Sequence, residues 1–178
     1  MLTDKIGIKL FADASRFPKG STFIEVFHDW IRTKVLPELM IDVVDYAHVE
    51  RGTHVYFCGH ESDYIIDTAD GRPGLLYRRK RAPLPANGTP FDDSLTRLLA
   101  AAERLEKEPR LEGLSFSRSE LWIGAFDRLR APNDEASFSA LASVVLPLLE
   151  KRFGKKARVL RGSVDPHELL SATATIGA

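Results

Sequence analysis

The segment from residue 40 to residue 60 holds most of the side chains that could bind a ligand or move a proton. It reads as two strands, 40–49 and 53–60, joined by a short turn. A three-residue turn over 50–52 would pair residues whose numbers sum to 102. Six polar and aromatic side chains would then share one face of the hairpin, namely Asp42, Tyr46, His48, His54, Tyr56 and His60. A two-residue turn would shift the pairing by one and send His48 and His54 to opposite faces.

Histidines and a carboxylate on one strand face offer two kinds of chemistry. In the first register His48 and His54 lie opposite each other with Cβ atoms about 5 Å apart, close enough to share a divalent metal or a proton. Asp42, opposite His60, could orient an imidazole that acts as acid or base, because histidine titrates near neutral pH. The other interpretation is a half-buried or wet sheet face without a catalytic role. The pattern names no cofactor.

Four consecutive basic residues occupy positions 78–81, at the end of a strand predicted over 74–80. Arginine binds phosphate and carboxylate groups through two parallel hydrogen bonds, so a small anionic ligand is one expectation, with Arg78 and Arg79 as its binding residues. Strand residues alternate, which places Arg78 with Lys80 on one face and Arg79 with Arg81 on the other. Alternatively, the charges keep an exposed sheet edge from pairing with other molecules, and Pro73 favours such an edge position.

The composition excludes several classes of protein. Lysine plus arginine and aspartate plus glutamate each number 25 among 178 residues, so the formal net charge is zero. Proteins that bind nucleic acid or anionic membranes usually carry a basic excess, and neither partner is expected here. Hydrophobic residues make up 44% of the chain, which is not the composition of a disordered protein. Cys58, the single cysteine, excludes an internal disulfide. We find no phosphate loop and no dinucleotide or zinc-protease motif.

An α+β fold is expected to position these residues within a single domain over 1–178. Alternating apolar patterns predict a mostly antiparallel sheet with strands near 5–12, 40–49, 53–60, 63–68, 74–80, 119–127 and 156–161. Apolar stripes at helical spacing predict two of the three main helices packed on it, over 22–36 and 90–107, and a cap at Asn133 or Asp134 predicts the third, over 134–153. Thr22 and Glu25 form a capping-box pattern at the first helix. Trp30 and Trp122 are expected in the core, a short helix is expected after Asp165, and the tail ATATIGA is expected to be frayed.

Two functions follow from these patterns. The first is a non-enzymatic module that self-associates, for example as a homodimer, or binds a small anion or a protein partner. A chain with no net charge is more prone to self-association near neutral pH. The second is a hydrolase-type enzyme, using acid–base or metal-assisted chemistry on the 40–60 hairpin. The N-terminus lacks the pattern of a signal peptide and no stretch approaches 18 consecutive apolar residues, so a cytoplasmic location is expected.

Overall fold

The computed structural model describes residues 3–49, 55–68 and 71–177, and these residues form the α+β fold expected from the sequence. The strands are β1 (Ile6–Ala12), β2 (Met40–Asp45), β3 (Val55–Gly59), β4 (Ser62–Asp67), β5 (Gly74–Arg79), β6 (Phe116–Ala125), β7 (Ala157–Arg161) and β8 (Ser171–Ile176). The helices are α1 (Gly20–Thr33), α2 (Pro90–Glu106) and α3 (Glu135–Phe153), with short 3-10 turns at Ala14–Arg16 and Pro109–Leu111.

The strands form one antiparallel sheet in the order β2-β3-β4-β5-β1-β6-β8-β7. Its core face carries Ile6, Ile8 and Leu10 of β1, and these side chains join the buried apolar residues of α1, α2 and α3 in one hydrophobic core. The alternate residues of the strands point the other way. We call this second side the open face; its central strands contribute Gly7, Lys9, Phe11, Leu76, Arg78, Trp122 and Gly124.

Helix ends follow their local sequences at Thr89 and Gly154 but not at Thr22. The Thr89 side chain accepts a hydrogen bond from the Asp92 N–H at 3.2 Å and caps α2, as the sequence predicts. Gly154, with φ of 65°, ends α3. The capping box predicted at Thr22 is wrong: α1 begins at Gly20, and its N-cap is Lys19, whose backbone oxygen accepts a bond from the Thr22 N–H. The first turn of α1 is therefore capped by backbone groups alone.

The C-terminal segment departs most from expectation. The predicted frayed tail is β8, which lies between β6 and β7 and buries Ala172, Ala174 and Ile176. The predicted short helix after Asp165 is a turn, in which the Glu168 N–H donates to the Asp165 oxygen. Alternating alanine and threonine give a weak strand signal in the sequence, because the burial of such small side chains depends on the strands that pair on both sides.

The basic run does not lie on a sheet edge. Strand β5 is paired on both sides, with β4 and with β1, and the sheet ends at β2 and β7. Pro73 precedes the strand, and its oxygen accepts a hydrogen bond from the Ala12 N–H at 2.8 Å. The proline therefore starts an interior strand without breaking a ladder bond. The explanation of residues 78–81 as edge protection is wrong, and their charges need another account. Within the described ranges, no helix combines the length and apolar character that crossing a membrane requires.

Candidate functional site

The two strands of the predicted hairpin site, β2 and β3, pair in a register that neither of the two turn lengths predicts. Asp42 lies opposite Cys58, and not opposite His60, because the paired numbers of β2 and β3 sum to 100 from Asp42 to Asp45. His60 follows the strand and is exposed, with its N–H bonded to the Leu39 oxygen at 2.8 Å. The predicted pairing of Asp42 with His60 is therefore wrong.

The cause of the different register lies at the end of β2. The Asp45 carboxylate accepts a hydrogen bond from the Ala47 N–H at 2.8 Å, and this Asx turn ends the strand four residues before the predicted boundary. Tyr56 then pairs with Val44, and its predicted partner Tyr46 lies beyond the strand. The two tyrosine rings still meet edge to face, with centroids 5.2 Å apart.

The histidine pair at the centre of the catalytic hypothesis is only partly described. His48 is exposed in the turn after β2, and its ring centroid lies 6.2 Å from that of Tyr46. His54 and the turn residues 50–53 lie outside the described residues, so the opposed pair stays a prediction. In the part of the chain that the structure describes, no group of three or more histidine, cysteine, aspartate or glutamate side chains is placed to hold a metal ion.

A cavity of about 450 Å³ lies where the end of β5 meets the start of β1. We call it the cationic cleft; it is lined by Lys5, Arg78, Arg79, Lys80, Arg81 and Phe126. Two contacts bring these segments together. Arg78 is the register partner of Gly7, and the Phe126 N–H donates to the Lys5 oxygen at 2.7 Å. The sheet order therefore joins residues that are more than 40 positions apart.

A buried carboxylate fixes two of the cations of the cleft. Asp63, only 1% exposed, accepts hydrogen bonds from the Arg78 guanidinium at 2.6 and 3.1 Å and from the Lys80 ammonium at 2.6 Å. The Arg78 guanidinium also lies 5.7 Å from the ring centre of Tyr56 and 5.9 Å from that of Phe126. One carboxylate faces two cations, so this group keeps a net positive charge.

Two further cations of the cleft have no ion-pair partner among the described residues. Lys5 and Arg81 are both exposed. The backbone beneath Arg81 is nevertheless held in place, because its N–H and that of Lys80 both donate to the Glu61 oxygen, at 3.0 and 2.9 Å. Glu61 is itself anchored through its N–H to the buried Glu38 carboxylate. The cleft thus combines a hydrogen-bonded backbone with two exposed cationic side chains.

Arg79 serves a different purpose from its neighbours. Its guanidinium is 1% exposed, forms an ion pair with Asp93 and donates to the backbone oxygens of Ala82 and Pro83. Arg79 therefore ties the first turn of α2 to the sheet. Of the two predicted anion-binding arginines, Arg78 presents its charge to the cleft, and the charge of Arg79 is already neutralised within the fold.

A second cavity, of about 270 Å³, lies farther along the open face. We call it the neutral cavity; it is lined by Lys9, Phe11, Asp67, Arg72, Leu76, Trp122 and Thr173. The Lys9 ammonium bonds to the Asp67 carboxylate at 2.8 Å in its floor. Arg72 bonds to both oxygens of Glu120, at 2.8 and 3.1 Å, and lies 3.7 Å from the Phe11 ring centre. Each cation is matched by a carboxylate.

The aromatic residues of the open face are the ones that sequence reasoning missed. Trp30 is in the core as predicted, but Trp122 is half-buried on the open face. A Cβ atom added to Gly124 would lie 2.3 Å from the Trp122 indole, and one added to Gly7 would lie 2.4 Å from the Phe126 ring. The two glycines therefore let aromatic rings lie across the strands. The sequence signal that could have indicated these aromatic contacts is a glycine on the side of each predicted strand that does not face the core.

No family model, no curated protein and no solved structure matches this chain. The argument for function therefore rests on the geometry and the charges of the open face.

Proposed function

We propose that this protein is a non-enzymatic module that binds a small anion in the cationic cleft. The observation that carries the proposal is the charge balance of the cleft. Among the described residues, four cations line the cleft, namely Lys5, Arg78, Lys80 and Arg81, and one carboxylate, Asp63, pairs with two of them, which leaves three net positive charges around the cavity. In a protein with no net charge overall, this concentration marks one place on the surface for an anion.

The arrangement of the cleft supports binding of a phosphate or carboxylate group. Asp63 and the neighbouring rings hold Arg78 in one orientation, so little side-chain entropy is lost when its guanidinium meets a ligand. Arg81 and Lys5 add donors from the two sides of the cavity. A volume of about 450 Å³ is typical of small-molecule pockets.

Location and assembly complete the proposal. A single cysteine fits a reducing compartment, and we place the protein in the cytoplasm on that ground. Self-association remains an expectation from the zero net charge, and the edge strand β2 with its neighbouring loop exposes Leu39 and Ile41 for such a contact.

Calorimetric titration with inorganic pyrophosphate tests the proposal. We expect saturable binding that weakens with added salt, because the cations are partly exposed. Arg81→Gln and Lys5→Gln should each lower the affinity about fivefold, from the loss of one charge-assisted contact at the surface. Arg158→Gln, which removes an exposed arginine of the edge strand β7, is the matched control and should leave the affinity unchanged. Absence of binding by the unmodified protein, or equal losses in all three variants, would contradict the proposal.

A further inference from the structure

The two cavities of the open face lie in adjacent rows of the sheet. One row crosses the sheet through Leu76, Lys9, Trp122 and Thr173, which are register partners in that order. The next row crosses through Arg78, Gly7, Gly124 and Ser171. Rows on one face are two residues apart, which is about 7 Å along the strands. The neutral cavity and the cationic cleft are thus separated by a distance that one small molecule spans.

The neutral cavity has the surfaces that bind a planar ring. The Trp122 indole lies close over Gly124, and Trp122 remains half-buried at the cavity. The Phe11 ring is already covered by the Arg72 guanidinium, so Trp122 is the free aromatic surface. Aromatic side chains stack on flat rings of ligands, and nucleobases are the commonest case in nucleic-acid binding proteins.

Polar groups flank the indole on both sides. Lys9 is opposite Trp122 on one neighbouring strand and Thr173 is opposite it on the other, which places their Cβ atoms about 5 Å from that of the indole. The buried Lys9 ammonium has three hydrogens, of which the Asp67 carboxylate takes one. The Thr173 hydroxyl can donate or accept. A ring with polar atoms along its edge could therefore bond on either side of the indole.

The charge balance of each cavity indicates which part of such a ligand it would bind. In the neutral cavity Lys9 is matched by Asp67, and Arg72 by Glu120, which favours an uncharged group. In the cationic cleft three positive charges remain, which favours a phosphate. Phe126 lies over Gly7 between the two places, and its ring centroid is 6.3 Å from that of Trp122. A ligand with its ring on Trp122 and its phosphate near Arg78 would pass the Phe126 ring, which meets the indole edge to face at an angle of 71°.

We propose that the ligand of the open face is a heteroaromatic phosphate of mononucleotide size, with its ring stacked on Trp122 and its phosphate in the cationic cleft. This inference rests on the proposed function, since the cleft supplies the phosphate site. It adds the chemical class of the ligand and a second set of binding residues, namely Lys9, Trp122 and Thr173.

Parallel titrations with adenosine 5′-monophosphate, adenosine and inorganic phosphate test the inference. We expect the mononucleotide to bind at least tenfold more tightly than phosphate and to quench tryptophan fluorescence. Trp122→Leu should abolish the quenching and reduce mononucleotide affinity to the level of phosphate. Thr173→Val, a nearly isosteric change, should weaken the mononucleotide two- to fivefold without changing phosphate binding, and it provides the test if the tryptophan variant does not fold. Arg81→Gln should weaken both phosphate-bearing probes.

The outcomes separate the two proposals. Equal affinity for the mononucleotide and phosphate, with no quenching, overturns this inference and leaves the anion-binding function in place. Binding of adenosine and the mononucleotide with equal affinity, without any binding of phosphate, overturns the anion-binding function and with it the assignment of the phosphate to the cleft. Quenching that persists in Trp122→Leu would come from Trp30 and would also overturn the inference.

Discussion

At the scale of the residue, the open face depends on buried carboxylates matched by cations from other strands. The alternation predicted for the basic run is confirmed for three of its residues, since Arg78 and Lys80 reach the same carboxylate and Arg79 reaches α2. It does not hold for Arg81, which follows the end of β5 and lines the same cavity as Arg78 and Lys80. The role of Lys9 could not be predicted from its position. In the sequence, a lone lysine only interrupts the apolar pattern of a strand, and its partner Asp67 lies 58 residues away. Long-range ion pairs of this kind become visible only once the strand order is known.

The environment of Cys58 gives a prediction at this scale. Burial raises the pKa of the Cys58 thiol, and the negative charge of Asp63, its register partner on β4, raises it further. The thiol should therefore stay protonated at neutral pH and react slowly with iodoacetamide, with a midpoint of the rate against pH above that of a cysteine in a short peptide. Because the folded state holds this proton more tightly, raising the pH through the thiol's unfolded pKa should reduce stability.

A variant without the Asp63 charge tests whether that charge contributes to the raised pKa of Cys58. Asp63→Asn should move the Cys58 midpoint toward lower pH, provided that circular dichroism shows the variant to be folded. A midpoint in the unmodified protein at or below that of the peptide would contradict the prediction.

At the scale of the element, sequence patterns work where the signal lies within the element itself. Helices α1 and α2 carry long apolar stripes, and α2 and α3 carry their capping residues Thr89 and Asp134, so the positions of the three helices are predicted well. Strand β2 is predicted too long, because the Asx turn at Asp45 competes with the ladder and leaves no trace in the apolar pattern. Strand β8 is missed, because alanines and threonines show their two faces only when paired on both sides.

The burial of β8 predicts unequal effects at adjacent positions. Ala174 is completely buried, so Ala174→Lys places an unpaired charge in the core and should cost at least about 3 kcal/mol of stability or prevent folding. Thr175 is exposed on the open face, and Thr175→Lys should change stability by less than about 1 kcal/mol. Urea unfolding of the two variants provides the comparison. If neither substitution changed the free energy of unfolding, the segment would be a frayed tail and not a strand.

At the scale of the whole molecule, the two faces of the sheet differ in what they carry. The core face and its three helices bury the hydrophobic core and the ion pair of Arg79 with Asp93, and the open face carries the ion pairs of Lys9 and Asp63 and both cavities. Residues 6–59 and 116–176 each run strand–helix–strand–strand, and their first strands, β1 and β6, are neighbours at the centre of the sheet. Sequence patterns predicted the fold class, but strand order depends on distant pairings. The hairpin expected to be the site therefore lies at an edge, and the cavities lie over β5, β1 and β6.

The central claim is that a small anion binds the cationic cleft of the open face. The most direct test is a ¹H–¹⁵N correlation spectrum recorded during titration with pyrophosphate, because it locates binding on the chain. We predict saturable shifts concentrated at Lys5, Phe126 and residues 78–81, with little change in the hairpin over 40–60. Saturable shifts centred on that hairpin, or no saturable shift at all, would contradict the claim.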